Sequence, residues 1–432
     1  MAGRRQLLLA LLGLLLQIVF LPFAAPQSYI GINYGDVADN LPPPSSTARL
    51  IKSTTISKVR LYGTDPAMIS AFAGTGISLL LGATNGDIPN LASSPSAAAA
   101  WVAAHVPSDP PITAISVGNE VFFADDPALA SQLVPAMQNL YAALPPNSSI
   151  KVSTVNAMDV LAASDPPSSG AFRPDLSAGL DPLLAFLSKT GSPFLVNPYP
   201  YFAYLSDPRA DTLAFCLFQP NPGRPDAGSG LTYTNMFDAM VDAVRAALDA
   251  KGYKDVAVVV AETGWPHKGD ADEAAAATVD NARAYVTGLV DHLRSGAGTP
   301  RAPGKPVETY LFAVYDEDLK PGKGSEKYFG LFQTSLTETY PTGLLRNGTA
   351  GLGPAVAPAP AVRPGPAMAS PTPPGQQPQV TPAPPGPPVL CAPGAKGTGR
   401  ACAHPSAAET PRTFAAIPII AGFWIIALQV LI

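Results

Sequence analysis

The sequence predicts an α/β protein, a (β/α)8 TIM barrel followed by a disordered Pro-rich tail. Three observations carry that expectation. Eight short apolar runs alternate with helix-patterned segments through the middle of the chain. That middle, 28–346, is long for one ordinary core and normal for a closed α/β barrel. The first run opens into "NYGDVADNLP", which is not the glycine-rich phosphate turn that would favour the alternative, a doubly wound open sheet.

The strands are expected, in order, at 29–33 (YIGIN), 57–62 (SKVRLY), 77–82 (ISLLLG), 112–118 (ITAISVG), 150–154 (IKVST), 193–197 (PFLVN), 255–261 (DVAVVVA) and 308–315 (ETYLFAVY). Helical spacing fills the intervals. In 234–251, Phe237, Met240, Val241, Val244 and Leu248 form one apolar stripe, and Gly252 follows as a stop. The stretches 127–144 and 271–294 read the same way.

The two ends have a different composition. Arg4 and Arg5 precede a leucine-rich run from Leu7 to Leu21, and small residues follow at Ala24 and Ala25, the pattern of a signal peptide over 1–26. A membrane anchor is the other reading, but the run is short and has no stop-transfer flank. Residues 347–405 form a Pro/Ala/Gly-rich linker that cannot bury enough apolar area to fold. Residues 406–432 end on an apolar segment behind small residues, the signal for a GPI anchor, with Ser406 as the attachment candidate. No basic stop follows Ile432, which sets this tail apart from an ordinary membrane-spanning one. These ends place a barrel of residues 27–346 on a stalk at the outer face of the plasma membrane, in the secretory pathway.

Three cysteines are too few to build a disulfide fold; Cys391 and Cys402 could close a small loop, leaving Cys216 free. The sequons at Asn147 and Asn347 are usable glycosylation sites in a secreted chain. A formal charge of −5 with scattered Lys and Arg argues against a nucleic-acid partner. No metal or cofactor is expected, since His105, His267, His292 and His404 show no ligand spacing. His267, just after "GWP", is expected on a surface loop. Oligomeric state is not readable from the sequence.

Two apolar strands run straight into a carboxylate: "AISVGNEVFF" into Glu120 and "VVVAETGWPH" into Glu262. In a parallel barrel the C-terminal strand ends form the reaction face, so strands four and seven would bring these two groups to one cleft. Paired carboxylates are the equipment for glycoside hydrolysis, one protonated to assist the leaving oxygen and one ionised to attack. Tyr34, Tyr62, Tyr199, Tyr201 and Trp265 all fall near the same strand ends, where flat aromatic faces suit stacking on pyranose rings. Asn119 is placed to bond a sugar hydroxyl or to position the nucleophile.

The motifs "GINYG", "VRLY", "VGNEV", "VNPYPYFAY", "AETGWP" and "DEDLKPGKGSEKYFGLF" occur in that order. Together they resemble the plant β-1,3-glucanases of glycoside hydrolase family 17, over roughly residues 28–346. The resemblance implies a (β/α)8 barrel and retaining endo-hydrolysis of β-1,3-glucan. It implies Glu120 as acid/base, Glu262 as nucleophile, and supporting roles for Glu317, Lys320 and Glu326. Members of that family, secreted or membrane-anchored, act on callose in plant walls and plasmodesmata. Departures are Ala261 where serine is common, and Asp316 and Asp318 where asparagines are usual. Extra negative charge there is expected to raise a neighbouring carboxyl's pKa. Cys391 and Cys402 alone cannot supply the cysteine-rich carbohydrate-binding module that many anchored relatives carry. Transglycosylation would use the same two glutamates. A catalytically silent callose-binding surface protein would need neither.

Overall fold

The computed structural model describes residues 29–124 and 126–346. Eight parallel strands close into a barrel: β1 Ile30–Tyr34, β2 Lys58–Leu61, β3 Ser78–Ala83, β4 Ile112–Asn119, β5 Lys151–Ala157, β6 Phe194–Asn197, β7 Val258–Thr263 and β8 Thr309–Leu311. Each pairs with its neighbour in the chain, and β1 closes on β8 through Ile30–Thr309, Gly31–Tyr310 and Ile32–Leu311. The strands are buried on both faces, which is why they read as near-continuous apolar runs.

The core therefore has two apolar layers. Leu80, Ala114, Val155, Leu195, Ala261 and Tyr310, one from each of β3 to β8, pack together as a cluster of their own. Alternate residues such as Leu79, Leu81, Ile115 and Val260 join the larger cluster with the helices outside. Gly31 makes room inside, because a Cβ there would lie 2.5 Å from the Tyr310 ring. At one end of the barrel Lys58 pairs with Glu308, which also accepts from the Tyr310 hydroxyl at 3.0 Å.

Helix starts explain where the expected segments shift. The 127–144 segment forms a helix over Pro127–Ala143, opened by the Asp126 carboxylate accepting from the Leu129 N–H. Met236–Ala250 starts behind Asn235 in the same manner. The 271–294 segment becomes helical only at Val279–Ser295, because Thr278 is its cap and 271–277 are held in turns around Glu273. Strand β8 ends at Leu311, short of the expected 315, since the Ala313 and Val314 amides turn to Phe329 and Asn33 carbonyls. Cys216 is buried with its Sγ donating to the Pro200 carbonyl, and burial pushes its thiol up to about 12. Among the described residues no helix is long and apolar enough to cross a membrane. The signal-peptide segment, the Pro-rich linker, Asn347, Cys391, Cys402 and Ser406 lie outside the described residues. Asn147 is exposed in a turn.

The shared space of Gly31 and Tyr310 can be tested directly. Gly31→Val overpacks the barrel and should lower unfolding free energy by about 1–3 kcal/mol, read from denaturant midpoints at unchanged slope.

Candidate active site

The two glutamates are presented by two irregular strand ends. On β4 the register slips between Ser116 and Asn119. Gly118 takes a φ of +71°, and a Cβ there would come within 2.5 Å of Val121. Glu120 itself has a φ of +52°, a left-handed conformation that a non-glycine residue adopts at a cost of roughly 1–3 kcal/mol. Its N–H donates to the Val155 carbonyl at 2.8 Å, so β5 holds the strained residue in place. On β7 the register slips between Val260 and Thr263, at Glu262. Glu262 thus lies inside the strand end rather than after it, and the bulge re-aims the side chain.

Glu262 is nearly buried, at 7% exposure, and three donors meet it. Its Oε1 accepts from Arg60 Nη1 at 2.6 Å and from the Tyr62 hydroxyl at 2.8 Å, while Oε2 accepts from the Tyr199 hydroxyl at 2.8 Å. Arg60 on β2 also donates through Nη2 to Asn119 Oδ1 at 2.8 Å and lies over the Tyr62 ring. Burial and the Glu262 charge push both tyrosine hydroxyls well above their usual range, so they remain donors. Asn33 supports the group by donating to the Tyr62 hydroxyl and to the Ala261 carbonyl.

Glu120 meets a different environment. Its Oε1 accepts one hydrogen bond, from Asn197 Nδ2 at 2.7 Å. Loss of hydration, then the Glu262 charge, raise its carboxyl to about 7. The pocket thus offers a carboxyl that keeps its proton near neutrality beside a carboxylate satisfied by a guanidinium and two hydroxyls. That is the asymmetry an acid and a nucleophile require.

The aromatic expectation divides. Tyr62 and Tyr199 reach the site, through their hydroxyls. Tyr34, Tyr201 and Trp265 are buried in the core, so their faces are closed to a sugar ring. Tyr34 accepts from Thr47 and packs edge-on against Tyr315. Trp265 donates from Nε1 to the Ala276 carbonyl and packs against Tyr201, Tyr204 and Tyr285. Tyr201 donates to Glu273, whose buried carboxylate also accepts from the Ser325 hydroxyl and N–H, tying the 264–278 loop to the 316–330 loop.

Glu317 is buried, accepts from the Val37 N–H and pairs with Lys320 at 3.3 Å; Lys320 in turn lies 4.2 Å from the Phe312 ring centroid. Glu326 is partly buried, and desolvation followed by the Lys320 charge, acting oppositely, leaves its carboxyl raised. Asp316 is spent locally, accepting from His267 at 3.0 Å and from the Gly330 N–H at 2.8 Å; burial, and then the Asp316 charge, raise the Tyr340 hydroxyl. Asp318 accepts from Asn40. His267 is a packed strut against Tyr328 and Tyr340, not a free surface residue. Asp270, Asp272 and Glu273 come close together, yet each already has a partner in Gly324, Lys323 or Ser325.

Sequence reasoning missed Arg60 and Asn197. A lone arginine inside "VRL" was the available signal, because a buried guanidinium needs a buried acceptor. Asn197 ends β6 on a polar side chain much as Glu120 follows β4, but nothing local names its partner.

A family model described as glycosyl hydrolases family 17 matches residues 30–342. A protein of Arabidopsis thaliana named glucan endo-1,3-beta-glucosidase 7 is 57% identical over 340 residues, covering 77% of this chain and 67% of the relative. A glucan endo-1,3-beta-D-glucosidase of Olea europaea is 55% identical over 346 residues, covering 79% and 75%. Among solved structures, a β-1,3-glucanase and allergen of Cryptomeria japonica pollen superposes with a TM-score of 0.69 at 40% identity, covering 74% of this chain and 99% of that one.

Arg60→Met strands Glu262 with two neutral donors and leaves Asn119 Oδ1 unpaired. The expected loss is about 3–5 kcal/mol of stability at pH 7, measured by chemical denaturation.

Proposed function

The chain belongs to the glycosyl hydrolases of family 17, and from that premise we propose that Glu120 and Glu262 are its acid/base and its nucleophile. The protein is a glycosidase that hydrolyses (1→3)-β-D-glucosidic linkages within β-1,3-glucan. The observation that carries the assignment of roles is the contrast between the two carboxyl groups. Glu120, raised to about 7, holds its proton under acidic conditions and up to near neutrality. Glu262 is held by Arg60, Tyr62 and Tyr199, all donors.

With the glucan across the open end of the barrel, Glu120 protonates the scissile oxygen as Glu262 attacks the anomeric carbon. The glycosidic bond breaks, the leaving chain departs with the proton, and a glycosyl-enzyme forms on Glu262. Glu120, now a carboxylate, takes a proton from water, whose oxygen displaces Glu262 and returns the β configuration. Arg60 and the two tyrosines lock the rotamer of Glu262, so the attack needs little reorganisation. Tyr62, Tyr199, Asn119, Glu317, Lys320 and Glu326 serve as substrate-facing or supporting groups at this end.

The target is a callose-like glucan at the plant cell surface. The leucine-rich N-terminal run, the Pro-rich linker and the apolar C-terminal segment support a protein that enters the secretory pathway and is held by a glycolipid anchor at Ser406. Asn147 and Asn347 would carry glycans there.

Linear β-1,3-glucan incubated with the full chain should yield internal cleavage and early products in the β-anomeric form by NMR. Glu120→Gln and Glu262→Gln should each lower kcat on the order of 10³-fold or more. Early α-anomers would reject the retaining mechanism, and early products longer than the substrate would assign transglycosylation instead. In plant cells, a phosphatidylinositol-specific phospholipase C should release the activity from membranes; activity that stays membrane-bound would contradict the anchor.

A further inference from the structure

We propose that Asn197 is a positioning residue for the acid/base step, its amide following the proton of Glu120. It donates through Nδ2 when the carboxyl is ionised and accepts through Oδ1 when the carboxyl is protonated. The inference rests on the reading of Glu120 as acid/base.

The geometry begins with burial. Asn197 ends β6 at 4% exposure, and its Nδ2 lies 2.7 Å from Glu120 Oε1. Among the described residues it is the one side chain that hydrogen-bonds this carboxyl. Its Oδ1 is buried and has no partner, although a buried amide oxygen normally has one. Half a turn about the terminal bond exchanges the amide oxygen and nitrogen, and that places Oδ1 where Nδ2 now stands. An acceptor there is what the O–H of a protonated Glu120 requires. The orphaned oxygen is thus the second half of a two-position contact.

The other groups that face Glu120 are charges rather than hydrogen-bond partners. Glu262 on β7 and Asp159 beyond β5 oppose its ionisation, and Arg60 on β2 favours it. None of them can change sign as the proton leaves and returns. Glu120 must give a proton in one half of the reaction and take one in the other, so a partner able to serve both forms keeps the carboxyl in place throughout. At Glu120 the register with β5 has slipped and the backbone is left-handed; the N–H to the Val155 carbonyl fixes the main chain, and the carboxyl itself is held by the amide.

The test is the pH dependence of kcat/KM on β-1,3-glucan with the full chain. The wild-type basic limb should lie near pH 7, where Glu120 loses its proton. Asn197→Ala removes the contact from both forms, but the charge-assisted bond to the anion is the stronger of the two, so Glu120 keeps its proton to higher pH and the basic limb moves up by about one pH unit. Asn197→Asp keeps the size and shape but sets a second carboxylate against Oε1; the pair then shares a proton, and the limb moves further up. A limb that stays at its wild-type position in folded variants, judged by near-ultraviolet circular dichroism, would overturn the inference. Should the alanine variant fail to fold, the near-isosteric aspartate decides. Glu120→Gln separates the two readings: if it keeps wild-type activity, the acid/base assignment falls and this inference with it. If it is inactive while the limb does not move, the Asn197 inference falls alone.

Discussion

The upper end of the barrel depends on one buried cation. Arg60, 1% exposed, sits on β2 and reaches both Glu262 on β7 and Asn119 on β4. A guanidinium in that position would be costly without acceptors, and a carboxylate as buried as Glu262 would be costly without donors. Each pays for the other, and the planar fork of the arginine bonds side chains from both strand ends at once. The strands that carry Glu262 and Asn119 are therefore coupled across the barrel by charge as well as by the sheet.

Around that pair the site separates two chemically identical side chains. Glu262 is surrounded by donors, while Glu120 has one amide, little hydration and a like charge. Both stand at slips in register, where the pleat no longer decides which way a side chain points. The barrel is regular up to its C-terminal ends and irregular where the carboxyls are needed. The left-handed backbone at Glu120 is strained and is held by the Val155 carbonyl.

The loops after β7 and β8 are joined by buried and half-buried polar contacts. Glu273 receives Tyr201 and Ser325, and Asp316 receives His267 and Gly330. Asp316 looks like a cleft residue in a linear reading because it falls in the same segment as Glu317 and Glu326. In space both acids act as ties. The aspartates at 316 and 318 accordingly act on their own loops, and the negative charge facing Glu120 comes from Glu262 and Asp159.

The sequence by itself determined the eight strands, their order and the pair of glutamates at strand ends. Apolar period, strand length and chain length are local quantities, and a parallel barrel turns order along the chain into order in space. It could not decide which aromatics face the cleft. Tyr62 and Trp265 both follow a strand, yet one hydroxyl meets Glu262 while the other ring is sealed under Tyr204 and Tyr285. Nor could it pair Arg60 with Glu262, 202 positions away, or Asn197 with Glu120, 77 positions away. Those partnerships exist only once the barrel closes, because the bulges on β4 and β7 set the final direction of each carboxyl and no local pattern records what lies across from it.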